Sequence, residues 1–268
     1  MIRDITIGQY YPANSVIHRL DPRIKLLATL VYIISLFLFK SVIGYVIAGV
    51  FLFTVIKVSK VPFTYIVKGL KSIVILMLIT VCFNLFLTPG EPLLTFWVFV
   101  ITKEGIVTAV FLGIRLVFLI IGASLMTFTT TPNHLTDGLE RLMNPLKRIH
   151  FPVHEIAMMM SIALRFIPIL LEETDKIMKA QMARGADFEH GSLIQKAKNL
   201  IPLLVPLFIS AFRRANDLAM AMEARCYRGG EGRTKMKPLS YKRRDWIGLV
   251  VMTTYLGLLF VVTTYIKF

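Results

Sequence analysis

Apolar positions fall into five runs that approach the length of a membrane crossing: Ile24–Phe39, Val42–Ile56, Ser72–Thr88, Gly105–Thr130 and Trp246–Ile266, against about 20 residues for a full helical span. The first two runs are short. At 1.5 Å per residue they reach only ~23 Å, so they must thin the bilayer, recruit flanking residues or pack inside a bundle. Between the fourth and fifth runs the pattern changes. Leu135, Leu139, Leu142, Leu146 and Ile149 recur at spacings of three and four, the period of an amphipathic helix, with Pro132 and Pro145 limiting or bending it. The stretch from Val153 to Phe188 predicts an apolar helix that becomes charged toward its end, with a kink at Pro168. A second helix of the same plan follows from Ser192. Its uninterrupted apolar run, Leu200–Phe212, carries Pro202 and Pro206 and is short enough to suit a buried or interfacial helix. Glu155 and Arg165 argue for a similar placement of Val153–Leu171, although the two segments crossing as a pair would give seven spans without altering the topology elsewhere.

Composition fixes the class. With 56% hydrophobic residues, 18% charged and a mean hydropathy of +0.68 over 268 residues, the chain reads as an all-α integral membrane protein of about five transmembrane helices. The expected organisation is a four-span region over residues 1–130, a long cytoplasmic or interfacial helical insert over 131–245, and a final span over 246–268. No apolar segment with a cleavage site opens the sequence, so no signal peptide is expected. Cys82 and Cys226 lie in unrelated settings and imply neither a disulfide framework nor a metal site.

A net charge of +15 would point to nucleic acid in a soluble protein, but here the distribution of charge matters more. Four basic residues stand at or before the start of the first run, four between the second and third, and nineteen between the fourth and fifth. Lys40, Lys103 and Lys267 alone occupy the alternate side. This asymmetry places the N-terminus and the insert in the cytoplasm and the C-terminus outside. The remaining cation, Arg115, lies near mid-membrane, where burial costs ~2.5–3.5 kcal/mol on the insertion scale. None of the five runs contains Asp or Glu. Its partner would be a carbonyl, a polar group such as Asn84, or a residue of another subunit, and both a structural and a functional role fit it. Without acidic relay groups a proton pathway is disfavoured.

At the first run, Asp21 is placed to cap a helix whose first position is Pro22. Arg23 and Lys25 then mark its cytoplasmic edge, and a well-capped helix at a basic boundary accounts for all four residues.

The two helices of the insert end alike, in Met182-Ala183-Arg184-Gly185-Ala186 and, 41 residues later, Glu223-Ala224-Arg225-Cys226-Tyr227. An Arg in a last helical turn complements the partial negative charge there, and Gly185 suits a left-handed terminator. Small neighbours also free the guanidinium to enter a groove on another protein. The same offset aligns Glu172-Glu173 with Arg213-Arg214, so an acidic pair on one helix meets a basic pair on the other if the two cross.

Together "LDPRIKLL", "MARGADF" and "MEARCYRGGEGRT" resemble the transmembrane T component of energy-coupling factor transporters, the EcfT family of ABC-type vitamin and metal importers, over essentially the whole chain. The resemblance implies that Ala183-Arg184-Gly185 and Ala224-Arg225-Cys226 are coupling motifs that dock on two ATP-binding cassette subunits. It also implies that a separate membrane S component captures the substrate. Cys226 stands where the family often has Gly. No cofactor is expected of this chain, which has no G-x-x-x-x-G-K-[ST] phosphate loop, and the bilayer rather than nucleic acid is its environment. A T component dedicated to cobalt or nickel is an alternative.

An intramembrane enzyme is the competing class, prompted by Glu172-Glu173, His134, His150 and His154. It lacks support: Ile177 occupies the Arg position of an E-E-x-x-x-R motif, Asp137-Gly138 is a fragment of a longer aspartate motif, and the histidines lack metal-site spacing.

Overall fold

The computed structural model describes residues 10–39, 41–96, 99–186, 188, 192–230, 232, 236 and 238–265. Lys40 and Lys267, two of the three cations expected on the basic-poor side, lie outside the described residues, as does Ile266 at the end of the fifth expected run. Eight α-helices form among the described residues: α1 (Pro22–Leu38), α2 (Val42–Ser59), α3 (Phe63–Leu87), α4 (Lys103–Thr129), α5 (Pro132–Leu142), α6 (Val153–Ala183), α7 (Leu193–Ala224) and α8 (Arg243–Tyr265). A 3-10 turn, Asn144–Ile149, follows α5. The helical membrane class stands. One addition was not foreseen, an antiparallel hairpin of β1 (Pro92–Phe96) and β2 (Phe99–Thr102) joining α3 to α4. Its apolar stretch is too short to continue either helix across a bilayer and has the β-branched and aromatic content that strands prefer.

Helix starts are set by local chemistry. Asp21 accepts from the Arg23 N–H with Pro22 in the first turn. Ser41, Thr102 and Ser192 cap α2, α4 and α7 through their hydroxyls, each satisfying a donor that the first turn leaves open. Glu104 in the first turn of α4 accepts the Glu91 N–H at 2.8 Å and so ties the hairpin to the helix.

The chain divides into two compact units. One comprises residues 8–141 with 239–268. In it α3 runs along α4, α1 and α2 also pack on α4, and α8 packs on α1 and α2. The core is aromatic and aliphatic: Tyr32 and Leu36 of α1, Tyr45 and Leu52 of α2, Ile121, Leu125 and Phe128 of α4, and Tyr255 and Leu259 of α8. Gly122 permits the close approach of α1 to α4, since a Cβ there would lie 2.6 Å from Tyr32 Cε1. The other unit contains residues 142–238, in which α6 and α7 pack against each other.

Among the described residues α2, α4, α6 and α8 are long and apolar enough to cross a bilayer. The bent helix α3, whose halves meet at 61° near Lys71, makes a fifth. The set differs from the five expected runs in two places. At 17 residues α1 is shorter than these, spanning ~26 Å, and it has a place inside the bundle through its buried aromatic and Leu side chains. Helix α6, expected at an interface, is one unbroken 31-residue helix through Pro168. Its most apolar window averages a hydropathy of 1.6, because Glu155 and Arg165 are too few to offset the Ile, Leu, Met and Phe between them.

Candidate functional site: two arginine-tipped helix ends

Residues 184 and 225 end their helices in the same way. Arg184 is the C-cap of α6; beyond it the Gly185 N–H bonds to the Met182 carbonyl and the Ala186 N–H to the Gln181 carbonyl, both at 3.0 Å. Arg225 is the C-cap of α7. There the Cys226 N–H reaches the Glu223 carbonyl at 2.8 Å and the Tyr227 N–H the Met222 carbonyl at 3.1 Å. This pair of bonds is the Schellman ending, which satisfies the open carbonyls of a last turn and requires a left-handed residue after the cap. Gly185 takes that conformation at φ +91° and Cys226 at φ +54°. A Cβ on Gly185 would meet nothing within 4 Å, so the backbone and not space calls for glycine. Ala183, Arg184, Gly185, Ala224, Arg225 and Cys226 are all exposed. Helix termination therefore consumes backbone groups alone and leaves both guanidinium forks as exposed donors.

Between α6 and α7 the structure brings together Glu173 and Arg214. One Glu173 oxygen pairs with Arg214 Nη2 and the other accepts from Ser210 Oγ at 3.1 Å. Glu172 and Arg213 are exposed and join no ion pair among the described residues. Glu173 lies as many residues before Arg184 as Arg214 before Arg225, because both pairs share the 41-residue offset. The ion pair thus ties the two helices ~16 Å along each axis from its tip. Gln181 Nε2 donates to the Pro202 carbonyl at 3.2 Å, so the helices run antiparallel and the two tips lead away from the pair in opposite directions.

Arg115 occupies the face of α4 next to α2. Its Nε donates to the Tyr45 hydroxyl at 2.9 Å, and its guanidinium carbon lies 5.4 Å from the centre of the Phe37 ring, within cation–π range. Asn84 is engaged elsewhere, donating to the Thr80 carbonyl. A tyrosine in a neighbouring apolar run carried no signal in the sequence beyond being the polar aromatic residue of that run.

The "LDPRIK" stretch is more than a capped helix start. Arg23 grips the Asp21 carboxylate through Nε at 2.9 Å and Nη2 at 2.7 Å and stacks 3.9 Å from the centre of the Tyr241 ring. Buried Asp245 accepts the Asp21 N–H at 2.8 Å and the Lys242 N–H at 2.7 Å, so one carboxylate anchors the starts of both α1 and α8. Lys25, expected as an edge marker, is instead buried. Its Nζ donates to the Thr129 carbonyl at 2.8 Å and the His18 carbonyl at 3.1 Å, pinning the end of α4. Burial alone would raise the Asp21 carboxyl, but the side-chain and backbone hydrogen bonds from Arg23 hold it below its ordinary value. His18 is lowered, first by burial and also by the charge of Lys25. Asp245 and Tyr241 escaped the sequence reading because a single acid beside three cations looks like a membrane boundary.

Among the described residues no three His, Cys, Asp or Glu side chains converge as metal ligands would.

Comparison with known proteins then decides the family. The family model for CbiQ, a cobalt transport protein, matches residues 13–236, which include the Asp21–Lys25 stretch and both arginine tips. The chain belongs to the CbiQ/EcfT family. Curated relatives agree along nearly the full length, all with the name energy-coupling factor transporter transmembrane protein EcfT. That of Clostridium kluyveri is 63% identical over 249 residues, 92% of each chain. That of Acidaminococcus fermentans is 52% identical over 97% of each. The Bacillus subtilis protein is 47% identical over 97% of this chain and 98% of its own. The CbiQ/EcfT match stops before α8, whereas these relatives extend the likeness to the last helix.

Proposed function

We propose that the chain is the transmembrane component of an energy-coupling factor importer. Its 131–245 region lies in the cytoplasm and carries the coupling helices, and Arg184 and Arg225 anchor two ABC-type ATPase subunits. The observation that carries this reading is the matched pair of exposed arginines on Schellman endings of the same pattern, on two helices joined by Glu173 and Arg214. When ATP binding draws the two ATPases together, each docked tip moves with its partner. The ion pair between the helices makes them move as a unit, and their length delivers the displacement to the substrate-binding S component. The chain itself performs no catalysis, and hydrolysis belongs to the ATPases. The imported compound is a vitamin or another micronutrient. The cobalt description of the matching family model favours a second reading, a module dedicated to that metal. Identifying the S component that copurifies with the native complex decides between them.

Arginine anchors in well-packed pockets lose ~2 kcal/mol or more on truncation, about thirtyfold in affinity. Arg184→Ala and Arg225→Ala should each insert normally yet recover less ATPase in pull-down and support less uptake, with the double variant the most impaired. Full assembly and uptake in the double variant would leave the arginines as helix caps and nothing more.

A further inference from the structure

Arg115 is twelve residues from one end of α4 and fourteen from the other, ~18 Å and ~21 Å along the axis. Its side chain is too short to reach either interface. Within the chain it is only partly satisfied. The Tyr45 hydroxyl takes Nε, Phe37 offers a ring face, and the remaining guanidinium N–H groups meet no acceptor among the described residues. A groove of about 460 Å³ opens beside it between α2 and α4, lined by Tyr45, Gly49, Val50, Phe111, Ile114 and Phe118. Phe111, Ile114 and Phe118 stand three or four residues apart on the face of α4 that carries Arg115, and Tyr45 belongs to both the groove and the arginine's hydrogen bond. At Gly49 the wall has no side chain, and Phe118 closes behind it, 3.1 Å from where a Cβ would stand.

We propose that this groove receives a transmembrane helix of another membrane subunit, whose Asp or Glu carboxylate accepts the free N–H groups of Arg115. The inference rests on reading the chain as one subunit of a membrane complex, and it names the surface and the chemistry of the contact. Charge selects the occupant. A lipid acyl chain fills an apolar groove but has no acceptor, and its headgroup stays at an interface the guanidinium cannot reach. A second copy of this chain would bring another Arg115 and, within its apolar runs, no carboxylate. A bidentate carboxylate matches the guanidinium fork and neutralises it where intramembrane charges are otherwise disfavoured.

The test places the photocrosslinker benzoylphenylalanine at Val50 in the full-length chain, coexpressed with its native partners in membranes. The expected adduct joins one integral membrane subunit, at a peptide with Asp or Glu inside a transmembrane helix. At matched abundance Arg115→Leu should lower its yield by ~fivefold or more, with Arg115→Lys, which keeps the charge but not the fork, in between. Should Arg115→Leu fail to accumulate, replacing the mapped partner carboxylate by its amide must give the same loss. Adducts to lipid only, to a second copy of this chain or to an ATPase overturn the proposal, as does an adduct whose yield ignores Arg115. ATPase recovery through the tips, measured on the same membranes, separates the two readings. Recovery without the helix adduct rejects this contact alone, whereas loss of both rejects the transporter reading with it.

Discussion

At φ +54°, Cys226 holds a left-handed backbone that a side chain with a Cβ resists, while Gly185 at the equivalent point of α6 meets no such penalty. The Schellman bonds of α7 are nonetheless complete, so the ending is maintained against a local cost of ~1–2 kcal/mol. Cys226→Gly should relieve it, raising stability by about 1 kcal/mol and slowing amide exchange at Cys226 and Tyr227 without loss of coupling. Thermal unfolding in detergent and hydrogen exchange at the α7 tip provide the measurement. Unchanged stability would mean that glycine's greater freedom in the unfolded chain offsets the relief, or that the turn relaxes freely. Both tips were readable from small-Arg-small spacing, because a helix terminator needs specific residues in consecutive positions. The difference between them was not, since a cysteine in sequence gives no sign of its φ.

Helices α6 and α7 raise the same contrast between local and long-range information. Their existence, their proline positions and the acid-base alignment at an offset of 41 were legible, as was the cap of α1, because each depends on neighbours in sequence. Which acid meets which base depends on how the helices are rotated about their axes, and only Glu173 and Arg214 meet. The roles of Asp245, Tyr241 and Tyr45 were hidden for the same reason, and the hairpin because short apolar runs do not distinguish strand from helix. The Glu173–Arg214 pair is a quarter to a third exposed, so its contribution to stability is of order 1 kcal/mol or less. Its larger effect is on how the two helices cross, and so on the separation of the two tips. Glu173→Gln should leave abundance near normal and reduce ATP-driven uptake severalfold, with basal ATPase binding retained. The exchanged pair Glu173→Arg with Arg214→Glu should recover most of the loss. Exchange that fails to rescue, with both single variants impaired, would assign the two residues to separate contacts.

Across the whole molecule, orientation follows from where the cations are. Twenty-seven of the basic residues fall on the N-terminal and insert side of the five expected runs and three on the other. The rule that cytoplasmic loops retain Lys and Arg acts through insertion rather than through any contact in the finished fold. The arrangement is tested sharply by α6, which is apolar enough to cross. A single crossing there would carry the Arg184 tip, α7 and the Arg225 tip together to the opposite face from α5, out of reach of cytoplasmic ATPases, whereas crossing by α6 and α7 as a pair would separate the two tips across the bilayer. Two exposed native thiols, Cys82 and Cys226, are first replaced by Ser and Gly. Single cysteines are then placed at Ser192, before α7, and at Tyr265, at the end of α8, and labelled in intact cells with a membrane-impermeant maleimide. Tyr265→Cys should react from outside. Ser192→Cys should react only after the membrane is opened, as should a cysteine at Gln181, near the Arg184 tip. Labelling of positions 192 and 181 from outside would put the Arg184 tip on the outer face, where no cytoplasmic ATPase could dock on it.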